Sequence, residues 1–262
     1  MPSGATFRQG GAYVQSDRYA SDADKPGIAA YNEAELARTV TLANEFADIV
    51  LAVSIGNETM VSWSFNRIAP ETMAGYIVKV RGQITQPVTT DDNYAFWASA
   101  PNVITDVVDY AALHTYPELD TVFDATLWDW RQKSVPEATR AAAMMDGAIA
   151  EARRQYGLAR NHLDAKGLSY LPIIIGETGW NAVDVGRQAF RAHPVNQKMY
   201  LDRLQTWATE GRNGNGPKAI FYFEAFDEPW KQGDDKWGLF NAARFAAMNL
   251  AQPRHAEPRF CE

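Results

Sequence analysis

Two glutamates stand where carboxylate chemistry would need them. Glu58 closes the run Val53-Ser54-Ile55-Gly56-Asn57-Glu58, and Glu177 follows Ile173-Ile174-Ile175-Gly176, ahead of Thr178-Gly179-Trp180. Each ends a short apolar run, directly after glycine or Gly-Asn. Carboxylates are seldom buried without a partner. For one such glutamate, a helix cap or an ion pair is as good an account as a reaction. Two of them on two strand ends match what double-displacement glycoside hydrolysis requires. One carboxylate attacks the anomeric carbon, and the other first donates and later removes a proton, across roughly 5–5.5 Å. A third segment, Phe221–Lys231, sets three carboxylates (Glu224, Asp227, Glu228) and Lys231 among five aromatic residues. Sugars have apolar CH faces and polar edges, so an apolar wall with a few fixed polar groups suits them. A half-buried strand with a solvent face is the plain alternative, but the alternation is poor and the acidic residues cluster late in the segment.

Elements must hold these groups. Strand candidates are Gly11–Gln15, Ile49–Ile55, Pro87–Thr90, Tyr110–Thr115, Ile173–Gly176 and Ala219–Phe226. Nearly continuous apolar runs among them predict strands buried on both faces, hence a parallel sheet. Helical patterns fill the gaps. Asn32–Phe46 opens like a capping box, with Glu35 three residues after Asn32, and carries Leu36, Val40, Ala43 and Ala47 at helical spacing. The stretches Pro70–Ile84, Pro136–Tyr156 and Pro194–Trp207 each begin with proline, which is favoured in the first helical turn. Strand–helix alternation of this kind predicts an α/β fold, doubly wound or barrel. In a barrel, the C-terminal strand ends that carry both glutamates would build the site.

Composition narrows the classes. The chain has 262 residues, 46% hydrophobic, 22% charged and 12% aromatic. That is enough to bury a core and too apolar for wholesale disorder. At about 150 residues per domain it could hold one large or two small domains, and it reads as a single catalytic domain over residues 1–262. A net charge of −7 argues against nucleic acid and fits an uncharged or cationic ligand. The only cysteine, Cys261, excludes an intrachain disulfide. No apolar run is long enough to span a membrane. The start, Met1–Arg8, lacks a signal-peptide core. The compartment stays open, with periplasm or exterior expected if an N-terminal part is missing. His114 and His193 do not make up the three or four ligands a metal site needs, Asp234-Asp235 lack the spacing of a calcium loop, and Gly-x-Gly-x-x-Gly is absent. No metal or cofactor is expected.

Gly56-Asn57-Glu58, Glu177-Thr178-Gly179-Trp180, Phe223–Lys231 and Trp237-Gly238-Leu239-Phe240 together resemble glycoside hydrolase family 17, whose members are β-1,3-glucanases and β-1,3-glucan transglycosylases. Order and spacing match from about Asn32 to Phe240. The resemblance implies a TIM (β/α)8-type barrel and a β-1,3-glucan or laminari-oligosaccharide substrate. It implies Glu58 as acid/base and Glu177 as nucleophile, the former protonated and the latter ionised before cleavage. Asn57 would bind the 2-hydroxyl of the sugar being cleaved, and Tyr116 would sit beside the nucleophile. Asp92 and Tyr94 would border the cleft, and Glu228 and Lys231 would hold hydroxyls. Trp180 and Trp237 would serve as sugar platforms, while His114 and Glu224 complete the expected binding set.

The family barrel has eight strand–helix units, and six are recognisable here. Gly10–Gln15 looks like the family's third strand, so the barrel is expected to be incomplete. A gene fragment, a shortened chain, and an open barrel completed by a partner segment or a second copy all fit. A glucan-binding or assembly module without turnover is the alternative to an enzyme.

Overall fold

The computed structural model describes residues 9–122, 124, 131–183, 191–214, 216–230 and 236–241. In chain order the elements are β1 (Gln9–Ala12), α1 (Lys25–Glu45), β2 (Ala52–Asn57), α2 (Pro70–Arg81), β3 (Val88–Asn93), α3 (Tyr94–Trp97) and α4 (Asn102–Thr105). They continue with β4 (Ala111–His114), α5 (Pro117–Asp120), α6 (Arg140–Ala165), β5 (Ile173–Thr178), α7 (Pro194–Asn213) and β6 (Ile220–Tyr222). The six strands form one sheet in the order β1-β2-β3-β4-β5-β6. The first three neighbouring pairs are parallel. Spatial order follows chain order, as in a strand–helix repeat wound in one direction. The fold is α/β, of the incomplete TIM-type (β/α) barrel class.

The chain forms two compact units. One holds the described residues up to His114 together with Gly157–Gly176; the other holds Thr115–Tyr156 and the described residues from Glu177 onward.

In the first unit, β2 is buried from Ala52 to Gly56 and β4 along its whole length. This is the two-face burial that the apolar runs predict, and each enclosed Val, Ile or Leu side chain contributes about 1.5–3 kcal/mol. α2 begins at Pro70 as expected and buries Met73, Ala74, Ile77 and Val80. Lys79 and Arg81 occupy its last turn, where cations favour the helix dipole. Trp97 fills the space behind β4, its indole N–H donating to Ala112 O at 2.8 Å.

α1 departs from expectation. It begins at Lys25, with Pro26 in the first turn, rather than at Asn32. Asn32 is buried inside the helix and clasps the chain after β1. It accepts Gln15 N–H at 2.7 Å and donates to Gln15 O at 2.8 Å. Glu35 pairs with Arg38 instead of closing a capping box. The buried stripe is Asn32, Leu36, Thr39 and Ala43. Ile49 and Leu51, expected in β2, are exposed ahead of it.

In the second unit, α7 runs from Pro194 to Asn213, capped by His193, whose Nδ1 accepts Val195 N–H at 3.2 Å. Its inner face buries Tyr200, Leu204 and Trp207. The expected helix Pro136–Tyr156 is a short 3₁₀ turn, Glu137–Thr139, followed by α6, which continues to Ala165. The expected strand Ala219–Phe226 is reduced to β6. Beyond it, the chain pairs with the segment around Trp237–Phe240. Leu239 N–H donates to Glu224 O and Phe240 N–H to Ala225 O, both at 2.9 Å.

Candidate active site

Glu58 is aimed by a defect in the ladder. Ser54 pairs with Thr89 and Asn57 with Asp91, so β2 spends one more residue than β3 between these points. That is a β-bulge, which turns the following side chain. Gly56 takes φ 82° inside it, and a Cβ there would lie 2.8 Å from Met73 Cε. Only glycine meets both demands. Glu58 itself has φ 49°, held by its N–H donating to Asp91 O at 2.9 Å. Its carboxylate lies 3.1 Å from His114 Nδ1, at the end of β4. Asn57 is exposed beside it, and Tyr94, at the start of α3, is half-buried.

His114 and Asp92 were expected to meet sugar, but both are 0% exposed. They act behind the surface. His114 supports the Glu58 carboxylate. Asp92 accepts Met60 N–H at 2.6 Å and Asn93 N–H at 2.9 Å, fixing the chain that leaves Glu58. Burial raises the Asp92 carboxyl to about 7. Its two backbone hydrogen bonds and His114 oppose that shift, and the Glu58 charge adds a smaller push upward.

Glu177 is placed by the end of β5 in the second unit. Thr115 N–H donates to Glu177 O at 2.9 Å, and the Tyr116 hydroxyl donates to Glu177 Oε2 at 2.9 Å. Tyr116 stands edge-on to Trp237 at 5.6 Å and to Phe223 at 6.3 Å between ring centroids. This aromatic wall depends on Gly179, where a Cβ would land on the Phe223 carbonyl oxygen. A hydroxyl donor on a half-buried carboxylate orients it.

Trp180 is not a sugar platform. It is 0% exposed, packs against Tyr200 at 5.4 Å, and donates its indole N–H to Arg191 O at 2.9 Å. Trp237 is half-buried within the aromatic wall, and Glu224 and Glu228 are half-buried in the segment after β6. Lys231, Asp234, Asp235 and Cys261 lie outside the described residues. Sequence reasoning missed Gln197. Buried in the first turn of α7, its amide donates to Trp180 O at 2.9 Å and Trp237 O at 3.1 Å, tying two expected site tryptophans together. A glutamine one turn into a helix gives no sequence signal of such a role. Arg191 and Glu118 form a buried pair at 3.1 Å behind it. Among the described residues, no cluster of His, Cys, Asp or Glu could hold a metal ion.

Residues 19–239 match the model of the BtgE/BtgC glycoside hydrolase domain. The chain belongs to this family. A glucan 1,3-beta-glucosidase of Arthroderma benhamiae is 28% identical over 77% of the chain and 61% of that protein. A probable glucan endo-1,3-beta-glucosidase (btgC) of Aspergillus clavatus is 27% identical over 76% of the chain and 28% of that protein. This BtgE/BtgC-type chain thus spans about three-fifths of the first of these relatives and about a quarter of the second. The endo-laminarinase from Formosa Hel1_33_131 is 28% identical, with a TM-score of 0.70 over 80% of the chain and 59% of that structure. The glycoside hydrolase family 17 β-1,3-glucanosyltransferase from Rhizomucor miehei, 20% identical, shares the fold, with a TM-score of 0.53 over 97% of the chain and 87% of that structure. These relatives agree with the family 17 resemblance of the motifs.

Proposed function

We propose that the protein is a retaining glycoside hydrolase or glucanosyltransferase acting on β-1,3-glucan. The observation that carries the reading is Glu177 on the end of β5, oriented by the Tyr116 hydroxyl within an aromatic wall. The bulge-directed Glu58 on the end of β2 supports it. The names of the relatives supply the substrate class.

The Glu177 carboxylate attacks the anomeric carbon as the bond to the leaving sugar oxygen breaks. Glu58 gives its proton to that oxygen. Tyr116 and Asn57 hold the nucleophile and the 2-hydroxyl. Water or a sugar hydroxyl then attacks the same carbon, its proton passes to Glu58, and Glu177 is released. Hydrolysis and transfer share this intermediate and differ only in the acceptor. Neither step uses a metal or cofactor.

The test is the mass-spectrometric product profile from laminarihexaose, with Glu177→Gln as control. Shorter oligomers alone mean hydrolysis, and longer ones mean transfer. Both must vanish in the control. An unchanged hexaose with the unsubstituted chain overturns the enzymatic reading and leaves a binding module.

A further inference from the structure

A cavity of about 480 Å³ opens between the β1–α1 loop and the first turn of α2. None of Asn57, Glu58, Asp92 and His114 lines it, so the catalytic reading leaves it unused. Its lining is cationic. Arg18 and Arg67 reach it from two different loops and Lys25 from the start of α1, against a single carboxylate, Asp17. Lys25 is offset by Asp22 at 2.8 Å. The two arginines are not: among the described residues, neither guanidinium makes a hydrogen bond or an ion pair. On a chain of net charge −7, such a cluster makes a local field that attracts anions against the global one.

Both arginines are held by their backbones. The Ser16 hydroxyl donates to Arg67 O at 2.6 Å and accepts Arg18 N–H at 3.1 Å. Asn66 accepts Ser16 N–H at 2.7 Å and donates to Val14 O at 2.9 Å. Ile68 N–H closes the second loop on Thr59 O at 2.8 Å. Arg18 lies over the Tyr19 ring at 5.2 Å, and Tyr19 stacks on Phe65 with centroids 5.3 Å apart. The two loops are therefore laced together, and much of the ordering cost of a binding site has been met before any ligand arrives.

Neutral donors complete the lining. Asn32, buried in α1, donates its amide to Gln15 O at 2.8 Å and to the Tyr76 hydroxyl at 3.3 Å. The Tyr76 oxygen is the acceptor there, and its own proton has no acceptor among the described residues. Tyr76 and Thr72 both line the cavity. So do Ala69 and Pro70 at the start of α2, a helix end that no side chain caps, and it adds partial positive charge. Guanidinium forks match oxyanions. A phosphate monoester brings three strong acceptor oxygens and a charge of about −1.5 to −2 near neutral pH, and so engages donors from several elements at once. A carboxylate, with two oxygens and one charge, engages fewer. The volume lies in the range of small-molecule pockets, about 300–1,000 Å³, with more room than a bare phosphate ion fills.

We propose that this cavity binds a small phosphate monoester. Arg18, Arg67 and the Tyr76 hydroxyl hold the phosphate, with Lys25 at its edge. The polar body of the ligand takes the remaining volume, where Asp17 accepts from one of its hydroxyls. The inference goes beyond the glucan reading and does not depend on it.

The test is calorimetry on the full chain with ribose 5-phosphate, ribose and inorganic phosphate. Ribose 5-phosphate is expected to bind with a Kd below about 1 mM, and more tightly than either control. Arg18→Gln and Arg67→Gln should each weaken it about tenfold, and Tyr76→Phe about threefold. Arg38→Gln removes an exposed α1 cation outside the cavity and should change the affinity by no more than about twofold. The two cavity arginines have no side-chain polar partner in the fold, so circular dichroism should be unchanged. A parent that does not bind ribose 5-phosphate overturns the inference. An affinity unaltered in Arg67→Gln overturns it by placing the ligand elsewhere. A loss in Arg38→Gln equal to that in Arg67→Gln does so too, because overall charge would then explain the binding. Ribose bound as tightly as its phosphate, or inorganic phosphate as tightly as the ester, also overturns it, since the first needs no anion and the second no organic body. None of these measurements involves laminarihexaose, so the glucan assignment stands or falls separately.

Discussion

Tyr116 and Asp92 show how much a single polar atom decides at each carboxylate. The Tyr116 hydroxyl is a donor on the carboxylate assigned the nucleophilic role, and hydrogen bonds to charged groups contribute about 1.5–3 kcal/mol. Tyr116→Phe should lower kcat on laminarihexaose roughly ten- to a hundredfold with circular dichroism unchanged; an unaltered kcat would remove Tyr116 as the positioning group. Asp92 makes a pH prediction. Its carboxyl rises from 3.8 to about 7 in the folded protein through burial. Below about pH 4 it is protonated in both folded and unfolded chains. Between about 4 and 7 the unfolded chain releases the proton and the folded one keeps it. This contribution to stability is therefore present in acid and lost as pH rises through that window, by an amount on the order of a few kcal/mol. Asp92→Asn should flatten the fall of Tm between pH 4 and 7; a slope equal to that of the unsubstituted chain would show that Asp92 does not set it. The residue identities at the site were legible in the sequence, but their depth was not. His114 beside Tyr116, and Asp92 beside Tyr94, read alike as cleft residues until the backbone turned them inward.

At the scale of elements, strand centres were readable and strand limits were not. Ile173–Ile175 are apolar because β5 is covered on both sides. Ile49 and Leu51 look identical in sequence but precede β2 at the surface. Asn32 misled for a definite reason: its amide satisfies the backbone of Gln15 from mid-helix, a tertiary use that mimics a cap signal. Trp180 misled similarly, since a tryptophan after a catalytic strand serves equally as platform or packing. Burial under α7 gives the answer, and with it a prediction. Trp180→Ala should cost about 3–5 kcal/mol of stability, read as a fall in the urea midpoint, rather than a selective loss of glucan affinity. A binding loss with an unchanged midpoint would restore the platform role. Gly179→Ala is the stricter probe of this joint. Its methyl group would occupy the position of the Phe223 carbonyl oxygen, so the chain after β6 must move and the Tyr116–Trp237 contact with it. Activity should fall far more than in Gly75→Ala, where a Cβ meets nothing within 4 Å. Similar activities in the two variants would refute the claim that close approach at Gly179 shapes the site.

For the molecule as a whole, the net charge offers a test of the proposed substrate class. A chain of net charge −7 would gain nothing from long-range steering towards the proposed neutral glucan. The KM for laminarin should therefore change little between about 0.05 and about 0.5 M salt, where exposed charges become screened. A steep salt dependence would point to a charged ligand instead. Among the described residues, no helix is long and apolar enough to cross a membrane. The loop between β2 and α2 gives the molecule a division of labour. Its stem is welded to the fold through Met60, Asn66 and Ile68, while Ser62, Trp63 and Phe65 at its crest are exposed. Crest residues can thus be exchanged at little cost to folding, whereas stem residues cannot. A lineage built on this scaffold is free to revise the crest of this loop one surface residue at a time while the backbone that aims Glu58 stays fixed.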